Sequence, residues 1–380
     1  MKSIGIVGGG QLGRMMAFDA KRMGYQVIIL DPTPEAPAGQ VSDQQLVASF
    51  DDYEALHKLA SMTDVVTYEF EHINAEILMK LESKGYKIFP SGKTLRIIQN
   101  KYMQKSFLKE AGLPVPDFYS VRNKEEIMEK SKVLGFPLIL KTCTGGYDGK
   151  GNMVLESEKD VENIPEAFLD RELMLEQYIS FTRELSVMVA RSQAGEIVHY
   201  PIAENEHREN ILRLTKVPAQ MDVELDEKIR AIAAGVMQAF NDIGVFCIEL
   251  FQENGNVYIN EIAPRPHNSG HYTIEACITS QYEQLIRIIT GLPLGSTRLL
   301  SQCAMVNILG SENVKGEYTF HGIENALKEE AVYLHLYGKK STAPLRKIGH
   351  ITVLDNNTEA AAKRAKDALD CIKFIALEGK

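Results

Sequence analysis

Apolar runs alternate with amphipathic stretches along the first quarter of the chain. Residues 3–7 and 27–30 are continuous apolar runs typical of buried strands, and residues 11–23 between them have helical spacing of apolar side chains. The same alternation continues, with predicted helices and strands at 51–61, 65–68, 74–84 and 88–89. Because a strand–helix–strand repeat builds a parallel sheet, we predict a doubly wound α/β domain over residues 1–100.

After a predicted helix at 100–111, the apolar runs become shorter and strand-like. An Ala-rich segment predicts one further long helix at 226–242, and the other runs predict strands at 138–141, 151–155, 173–177 and 184–190. An Asn254-Gly255 turn joins two more strands, 245–251 and 257–262, as a hairpin. Together these elements predict a central α+β domain over residues 101–295.

The composition changes again from about residue 296. Three apolar runs and an Ala- and Lys-rich helix predict a small β-rich C-terminal domain over 296–380, with elements at 305–309, 332–336, 350–354 and 359–369. The predicted fold class is therefore mixed α/β and α+β, in three domains.

Composition and charge exclude several classes of function. The 380 residues are 44% hydrophobic and 24% charged, as in ordinary globular proteins, and the net charge of −9 argues against nucleic acid or an anionic membrane as the main partner. The five cysteines are scattered and form no CxxC pair, which fits free thiols in a reducing compartment. We find no signal peptide and no apolar stretch that could span a bilayer, so we expect a cytoplasmic protein.

Gly8, Gly10 and Gly13 form a GxGxxG motif between the first predicted strand and helix, and Asp31 ends the next strand. Bare amides at a helix start bind phosphate, so the motif fits a nicotinamide dinucleotide or another phosphate ligand. It also fits a tight turn without any ligand. The acidic pair described below disfavours the nicotinamide reading, because hydride transfer needs no paired acidic metal site.

A second glycine loop, 144–151, lies between two predicted strands. Its four glycines suit a flap whose amides close over a polyphosphate, and Lys150 can add positive charge. Lys141 comes late in the apolar strand before the loop, where an ammonium group is expensive to bury without an anionic partner. A purely structural hairpin loop is the less favoured interpretation.

Residues 176–179 follow another apolar strand, and their backbone could bind an adenine edge, with Glu184 available for a ribose hydroxyl. Taken alone this signal is weak. A glutamate at a strand end, such as Glu176, is more often a solvated surface residue.

Glu249 and Glu261 lie in the two apolar strands of the predicted hairpin. A strict two-residue turn pairs Glu249 with Asn260 and places Glu261 on the opposite face, whereas a bulge would bring the two carboxylates together. Unpaired carboxylates within apolar strands are costly, so we favour a shared cation, and oxygen ligands suit Mg²⁺.

A polar loop with Arg265, His267 and Asn268 follows the second strand of the hairpin between prolines. A guanidinium can hold a phosphate or carboxylate in a bidentate fork, so the loop suits an anionic substrate. Glu69 ends a strand of the first domain, where α/β sheets place their ligands. Lys339 and Arg346 lie on a C-terminal loop and, taken by themselves, fit a solvated charge run.

In five segments the chain resembles the N5-carboxyaminoimidazole ribonucleotide synthetase family, ATP-grasp enzymes of purine biosynthesis. They are 9–14 (GGQLGR), 68–71 (YEFE), 144–151 (TGGYDGKG), 260–271 (NEIAPRPHNSGH) and 346–350 (RKIGH). The resemblance covers essentially the whole chain. It implies an N-terminal α/β domain, a central ATP-grasp domain and a small C-terminal domain.

The resemblance also implies roles for individual residues. ATP would be held by Lys101, Lys141, Gly146, Tyr147, Asp148, Gly149, Lys150, Gly151, Asn152, Glu176, Gln177, Tyr178, Ile179, Glu184, His207, Asn260 and Glu261. Aminoimidazole ribonucleotide would contact Gln11, Leu12, Glu69, Asn268, Lys339 and Arg346. Mg²⁺ would be bound by Glu249 and Glu261, and the bicarbonate-derived group would face Tyr147, Asp148, Arg265 and His267.

The implied reaction is the ATP- and bicarbonate-dependent carboxylation of the ribonucleotide amine by way of carboxyphosphate, with carboxyphosphate itself or CO₂ released from it as the carboxylating species. Arg265 would steady the developing charge, and His267 or Asp148 would handle the amine proton. The family suggests a homodimer. Three other functions remain open from the residues: a formate-dependent glycinamide ribonucleotide transformylase, a NAD(P)-dependent dehydrogenase, and a non-catalytic nucleotide sensor.

Overall fold

The N-terminal unit is a parallel sheet with helices packed on it. The computed structural model describes residues 2–146 and 151–377. Four strands pair in the order β3-β2-β1-β4, namely β1 (Ser3–Val7), β2 (Gln26–Leu30), β3 (Gln44–Leu46) and β4 (Val65–Tyr68). The helices are α1 (Gln11–Arg22), α2 (Tyr53–Met62), α3 (Ala75–Glu82) and α4 (Gly92–Gln99). All five residues of β1 are buried, as its unbroken apolar run predicts.

The end of this unit differs from the prediction. Instead of a strand at 88–89, only Ile88 makes a parallel bridge, to Val66, because Pro90 has no N–H to continue a ladder. Helix α4 was not predicted. It begins after Ser91, whose side chain accepts a hydrogen bond from the amide of Thr94.

The next unit is a four-stranded sheet in the order β5-β8-β6-β7. Its strands are β5 (Phe118–Val121), β6 (Leu138–Thr142), β7 (Asn152–Leu155) and β8 (Leu173–Gln177). The helices are α5 (Lys101–Glu110), α6 (Lys124–Leu134), α7 (Glu158–Glu162) and α8 (Glu166–Leu169). The Asn100 side chain accepts a hydrogen bond from the Met103 amide and thereby caps α5, close to where the sequence predicts this helix to begin.

A larger sheet has nine strands among the described residues, and residues of both sheets line one cleft. From the edge strand β14 inward, six of its strands are β14 (Asn256–Ala263), β13 (Gly244–Glu253), β9 (Arg183–Arg191) with β10 (Ile197–His199) paired to it, β11 (Ala203–Arg208) and β12 (Ile211–Val217). The helices are α9 (Val223–Phe240), a 3₁₀ turn (Asn268–Gly270), α10 (Thr273–Ala276) and α11 (Gln281–Thr290). The predicted Asn254-Gly255 turn is confirmed, since both residues have positive φ and Glu253 pairs with Asn256.

Three of the five C-terminal strands extend the same sheet. The five strands are β15 (Gln302–Leu309), β16 (Tyr318–His321), β17 (Val332–Leu336), β18 (Lys347–Asp355) and β19 (Lys373–Ala376), with helices α12 (Ile323–Ala326) and α13 (Thr358–Cys371). Strand β15 pairs with β12, and β18 and β17 follow, whereas β16 and β19 pair only with each other. The inner six residues of β15 are buried on both faces. Because β12 and β18 pair with β15 on its two sides, β15 is an interior strand that joins the C-terminal strands to the larger sheet.

Among the described residues, no helix combines the length and the apolar character needed to cross a bilayer.

Candidate active site

One cleft of about 690 Å³ contains most of the predicted site residues. Those lining it are Gln11, Leu12, Glu69, Lys101, Lys141, Gly146, Asn152, Tyr178, Glu184, His207, Glu249, Asn260, Glu261, Arg265, His267 and Asn268. Gly151, Glu176, Gln177, Ile179, Lys339 and Arg346 are not part of this lining. Tyr147, Asp148, Gly149 and Lys150 lie outside the described residues.

The two glutamates of the hairpin meet across a β-bulge. Glu249 pairs with Glu261, but its neighbour Leu250 pairs with Ile259, so Asn260 is the extra residue of β14. Of the two arrangements that the sequence allows, the structure has the bulge. The extra residue turns both carboxylates toward the cleft, which a strict two-residue hairpin could not do.

Unequal electrostatic environments distinguish these two carboxylates. Burial and the facing charge of Glu261 raise the pKa of Glu249 to about 7. Burial also acts to raise the pKa of Glu261, but the ammonium group of Lys101, 3.3 Å away, lowers it overall. Within 2–146 and 151–377 no three His, Cys, Asp or Glu side chains are grouped as a metal site. The pair therefore fits a divalent cation whose other ligands come from phosphate or water.

Glu176 is the shared counter-ion of two buried lysines. Its carboxylate lies 2.5 Å from Lys141 Nζ and 3.1 Å from Lys105 Nζ, and its exposed fraction is 1%. The alternative of a solvated strand-end residue is therefore wrong, and the anionic partner expected for Lys141 is Glu176. Burial, together with Lys141 and Lys101, lowers the pKa of Lys105 to about 8 despite the pairing with Glu176. Sequence reasoning missed Lys105, because nothing in its own helix marks it as buried.

Glu184 and His207 form a second ion pair at the wall of the cleft. His207 Nδ1 lies 2.5 Å from a carboxylate oxygen of Glu184. Burial acts to lower the pKa of His207, but the hydrogen bond to Glu184 raises it overall. The pair fixes the carboxylate of Glu184 at the cleft, where it can accept from a hydroxyl group.

The first glycine loop does not present free amides to a ligand. Asp31 accepts a hydrogen bond from the Gly9 amide at 2.7 Å, and Glu69 accepts from the amides of Gly10 and Gly13, the latter at 2.8 Å. A Cβ on Gly10 would come within 2.5 Å of Glu69 Oε1, so the glycine permits this close approach. These internal contacts occupy the glycine amides that a pyrophosphate would need, which argues against a nicotinamide dinucleotide site at this loop.

The loop after β14 brings three polar side chains into the cleft. Glu71 holds the guanidinium of Arg265 through both carboxylate oxygens, at 2.8 and 2.9 Å. His267 Nε2 lies 3.4 Å from Glu249, and burial, with Arg265 nearby, lowers the pKa of His267 well below its usual value. Asn268 is buried, and neither of its amide atoms has a hydrogen-bond partner among the described residues. Such an orphaned amide fits a ligand that supplies both a donor and an acceptor.

The C-terminal loop contributes differently from expectation. The Lys339 ammonium group donates to the backbone carbonyl of Lys347 at 2.7 Å, and burial lowers its pKa to about 8. Arg346 is exposed and donates to Ser341. Lys347 lines the cleft instead, although the sequence analysis assigned it no role.

Three family models match successive parts of the chain. They describe a ribonucleotide synthetase preATP-grasp domain (residues 1–99), an ATP-grasp domain (106–282) and a phosphoribosylaminoimidazole carboxylase C-terminal domain (303–364). These matches follow the order of the units seen in the structure.

Relatives and solved structures match nearly the full length. The chain is 43% identical over 353 residues to N5-carboxyaminoimidazole ribonucleotide synthase of Bacillus subtilis, covering 92% of this chain and 91% of the relative. The synthetase structure from Thermotoga maritima superposes with a TM-score of 0.90 at 46% identity and covers 99% and 100% of the two chains.

A third match carries bound ligands. The synthase from Aspergillus clavatus in complex with ADP and 5-aminoimidazole ribonucleotide superposes with a TM-score of 0.88 at 34% identity, covering 97% of this chain and 98% of that chain. These identities extend over almost the whole chain, and the domain order agrees. The chain belongs to the N5-carboxyaminoimidazole ribonucleotide synthase family of ATP-grasp ligases.

Proposed function

We propose that this cleft carries out the ATP- and bicarbonate-dependent carboxylation of 5-aminoimidazole ribonucleotide to the N5-carboxy product, a step of purine biosynthesis. The observation that carries the proposal is the meeting of Glu249 and Glu261 across the bulge, opposite Lys101 and in the same cleft as Lys141. The formate-dependent transformylase is not favoured, because the full-length relatives are carboxylating enzymes by name.

ATP would occupy the end of the cleft between the two sheets. Lys101 and Lys141 are placed to bind its phosphates, and Glu184, held by His207, is placed to accept from the ribose. The remaining predicted ATP contacts, residues 146–152, 176–179 and Asn260, belong to the same proposal. Mg²⁺, when bound by Glu249 and Glu261, supplies positive charge that neutralises the phosphates.

The acceptor end would bind the ribonucleotide. Asn268 offers an unpartnered amide, and Gln11 and Leu12 contribute the start of α1 to the cleft. Glu69, Lys339 and Arg346 belong to the same proposed contact set. All three have internal partners in the structure: Glu69 accepts from the glycine-loop amides, Lys339 donates to the Lys347 carbonyl, and Arg346 donates to Ser341.

The chemistry proceeds in two displacements. A bicarbonate oxygen attacks the γ-phosphorus of ATP, and ADP leaves with the electrons of the broken bond, giving carboxyphosphate. The ribonucleotide amine then attacks the carboxyl carbon, phosphate leaves, and the amine nitrogen loses one proton. Arg265 stabilises the carboxyl and phosphate charges through preorganised hydrogen bonds, since Glu71 already fixes the orientation of its guanidinium.

Further parts of the proposal concern the whole molecule. We assign residues 1–100, 101–295 and 296–380 to the three domains. The protein is a cytoplasmic homodimer, and the roles proposed for Tyr147 and Asp148 toward the bicarbonate-derived group concern residues outside the described part of the chain. The net charge of −9 supports small-molecule substrates over nucleic acid or an anionic membrane.

Phosphate release from ATP tests the proposal directly. Release must require aminoimidazole ribonucleotide and bicarbonate together, and formate must not replace bicarbonate. Arg265→Ala is expected to lose most carboxylation, whereas Arg96→Ala, an exposed arginine paired with Glu76, is the matched control. Full carboxylation by Arg265→Ala would show that the role assigned to Arg265 is wrong. Phosphate release with a different carboxyl donor would refute the proposed reaction.

A further inference from the structure

Ser269, two residues further along the same loop, contacts the imidazole of His267 at Nδ1. This nitrogen lies 3.0 Å from Ser269 Oγ, and the backbone amide of Ser269 points at the same nitrogen from 3.4 Å. His267 thereby caps the 3₁₀ turn Asn268–Gly270. The other ring nitrogen, Nε2, faces the cleft beside Glu249.

Behind Ser269, a line of buried polar side chains crosses the large sheet. Thr215 Oγ1 donates to Asn205 Oδ1 at 2.9 Å, Asn205 Nδ2 donates to Ser186 Oγ at 2.8 Å, and Ser186 Oγ lies 2.9 Å from Ser269 Oγ. All four residues are at least nine-tenths buried. The line starts on β12, passes β11 and β9, and ends at the loop that carries His267.

The direction of these hydrogen bonds follows from counting protons. Each serine hydroxyl has one proton to donate. Ser186 accepts from the Asn205 amide and donates its own proton to Ser269 Oγ at 2.9 Å, which leaves the proton of Ser269 for His267 Nδ1. Cys247 Sγ, 3.7 Å from Ser269 Oγ, is a weak acceptor and competes poorly for that proton.

The backbone amide of Ser269 is a second, independent indication that His267 Nδ1 carries a lone pair and no proton. An amide N–H always donates, and the Ser269 amide is directed at Nδ1, so a proton on Nδ1 would meet another proton there. Both observations require a lone pair on Nδ1. In a neutral imidazole the single remaining proton is then on Nε2.

We propose that Ser269, backed by Ser186 and Asn205, is a positioning residue that fixes His267 as the tautomer with its proton on Nε2. His267 then acts in the cleft as a hydrogen-bond donor to an anionic oxygen of the bicarbonate-derived group. It does not accept the amine proton, because Nε2 has no lone pair in this tautomer. The proposal rests on the proposed function for the identity of that oxygen, and on the geometry alone for the tautomer.

The tautomer can be measured without turnover. In the intact protein labelled with ¹⁵N-histidine, the two ring nitrogens of His267 are assigned by comparison with His267→Gln. We expect Nδ1 in the unprotonated range and Nε2 in the protonated range. Ser269→Ala removes the hydroxyl at 3.0 Å but keeps the backbone amide at 3.4 Å, so we expect a minor population protonated on Nδ1 to appear beside the dominant tautomer. A protonated Nδ1 in the unmutated protein would overturn the proposal.

Kinetics provide the functional readout. Ser269→Ala is expected to lower kcat by about tenfold to a hundredfold, as loss of an orienting partner does at other sites, with little change in KM for ATP. Ser269→Thr keeps a hydroxyl and should restore most of the rate. Ser131→Ala is the matched control, since Ser131 is also buried but donates to Met128 in a helix far along the chain. Wild-type kcat in Ser269→Ala would contradict the proposal.

Substitution of His267 distinguishes a hydrogen-bond donor from a general base, because glutamine can replace the donor but not the base. The amide nitrogen of glutamine can occupy the Nε2 position and donate, but it cannot accept a proton. We therefore expect His267→Gln to retain more carboxylation than His267→Ala, and equal losses would overturn the donor role. If Ser269→Ala does not fold, Ser186→Ala, one bond further from the ring, is expected to show the same change in smaller degree. Phosphate release by the unmutated protein is measured first, so that failure of the proposed reaction is recognised separately.

Discussion

Replacing Lys105 with methionine is expected to separate function from stability. Lys105 is buried on α5, where its ammonium group donates to the Ile259 carbonyl at 2.7 Å and shares Glu176 with Lys141. Two cations thus share one carboxylate, and the site carries an excess of positive charge before any nucleotide binds. Methionine fills similar volume without the charge.

The expected change in stability is small because two effects oppose each other. The pKa of Lys105 lies at about 8 instead of 10.5, so its charged form is destabilised by roughly 3 kcal/mol at neutral pH, and methionine removes this penalty. The substitution leaves the Ile259 carbonyl without its donor, which costs about 1–3 kcal/mol. Lys141 still neutralises Glu176. The free energy of unfolding should therefore rise by between about 0 and 2 kcal/mol.

Nucleotide binding should weaken nonetheless. A unit charge about 10 Å from a polyphosphate contributes on the order of 1–2 kcal/mol at an effective dielectric constant near 20, or roughly tenfold in Kd. Calorimetric titration with Mg·ADP measures this loss, and urea unfolding without ligand measures stability. Lys109→Met is the matched control one turn further along α5, because Lys109 is exposed and pairs with exposed Asp117. Destabilisation beyond about 3 kcal/mol with unchanged Mg·ADP affinity would refute the reasoning.

Three further predictions concern other parts of the cleft and its support. Glu249→Gln should lower ATP turnover by roughly a hundredfold or more and raise the Mg²⁺ concentration needed for half-maximal phosphate release. An unchanged Mg²⁺ dependence would contradict the assignment of Glu249 as a metal ligand. Glu71→Gln leaves the largely buried guanidinium of Arg265 without its carboxylate partner. The free energy of unfolding measured in urea should fall by about 2–4 kcal/mol, and an unchanged value would show that this ion pair does not stabilise the fold. Burial lowers the pKa of His350 well below 6.5, so just below about pH 6.5 this side chain takes up a proton only when the chain unfolds. The free energy of unfolding should therefore decrease as the pH is lowered from about 6.5. His350→Gln should reduce this slope by up to about 1.4 kcal/mol per pH unit, and identical slopes for the two proteins would contradict the prediction.

Much of the fold could be predicted because its pattern is local. The N-terminal strands are unbroken apolar runs, and the Asn254-Gly255 turn specifies its own hairpin. Strand β11 escaped prediction because its polar side chains line the cleft or its rim, which breaks the simple alternation of a half-buried strand. The continuation of the large sheet into β15 also depends on pairing between distant segments, which no local pattern encodes.

The site residues also fall into two groups, those that a local motif marks and those whose role depends on contacts between distant parts of the chain. Residues in contiguous motifs, such as Arg265, His267 and Asn268, could be named from the sequence, and the structure brings them into one cleft. The bulge at Asn260 could be stated only as one of two possibilities, because register depends on the whole hairpin. Lys105 could not be found at all. Its role depends on Glu176, which is distant in sequence and becomes its neighbour only when α5 packs beside β8.

Pairing of charges explains how the cleft stays ordered before its substrates bind. Lys101 contacts Glu261, Lys141 contacts Glu176, and Arg265 contacts Glu71, so these three described cations already have carboxylate partners. Isolated buried cations would be costly and would lower their own pKa or move toward solvent. In the proposed reaction, ATP and Mg²⁺ would exchange partners within a fixed arrangement of charges, and Lys101 would turn to phosphate when a metal ion binds Glu261. Because the side chains need little reorganisation, binding free energy remains available for stabilising the transition state.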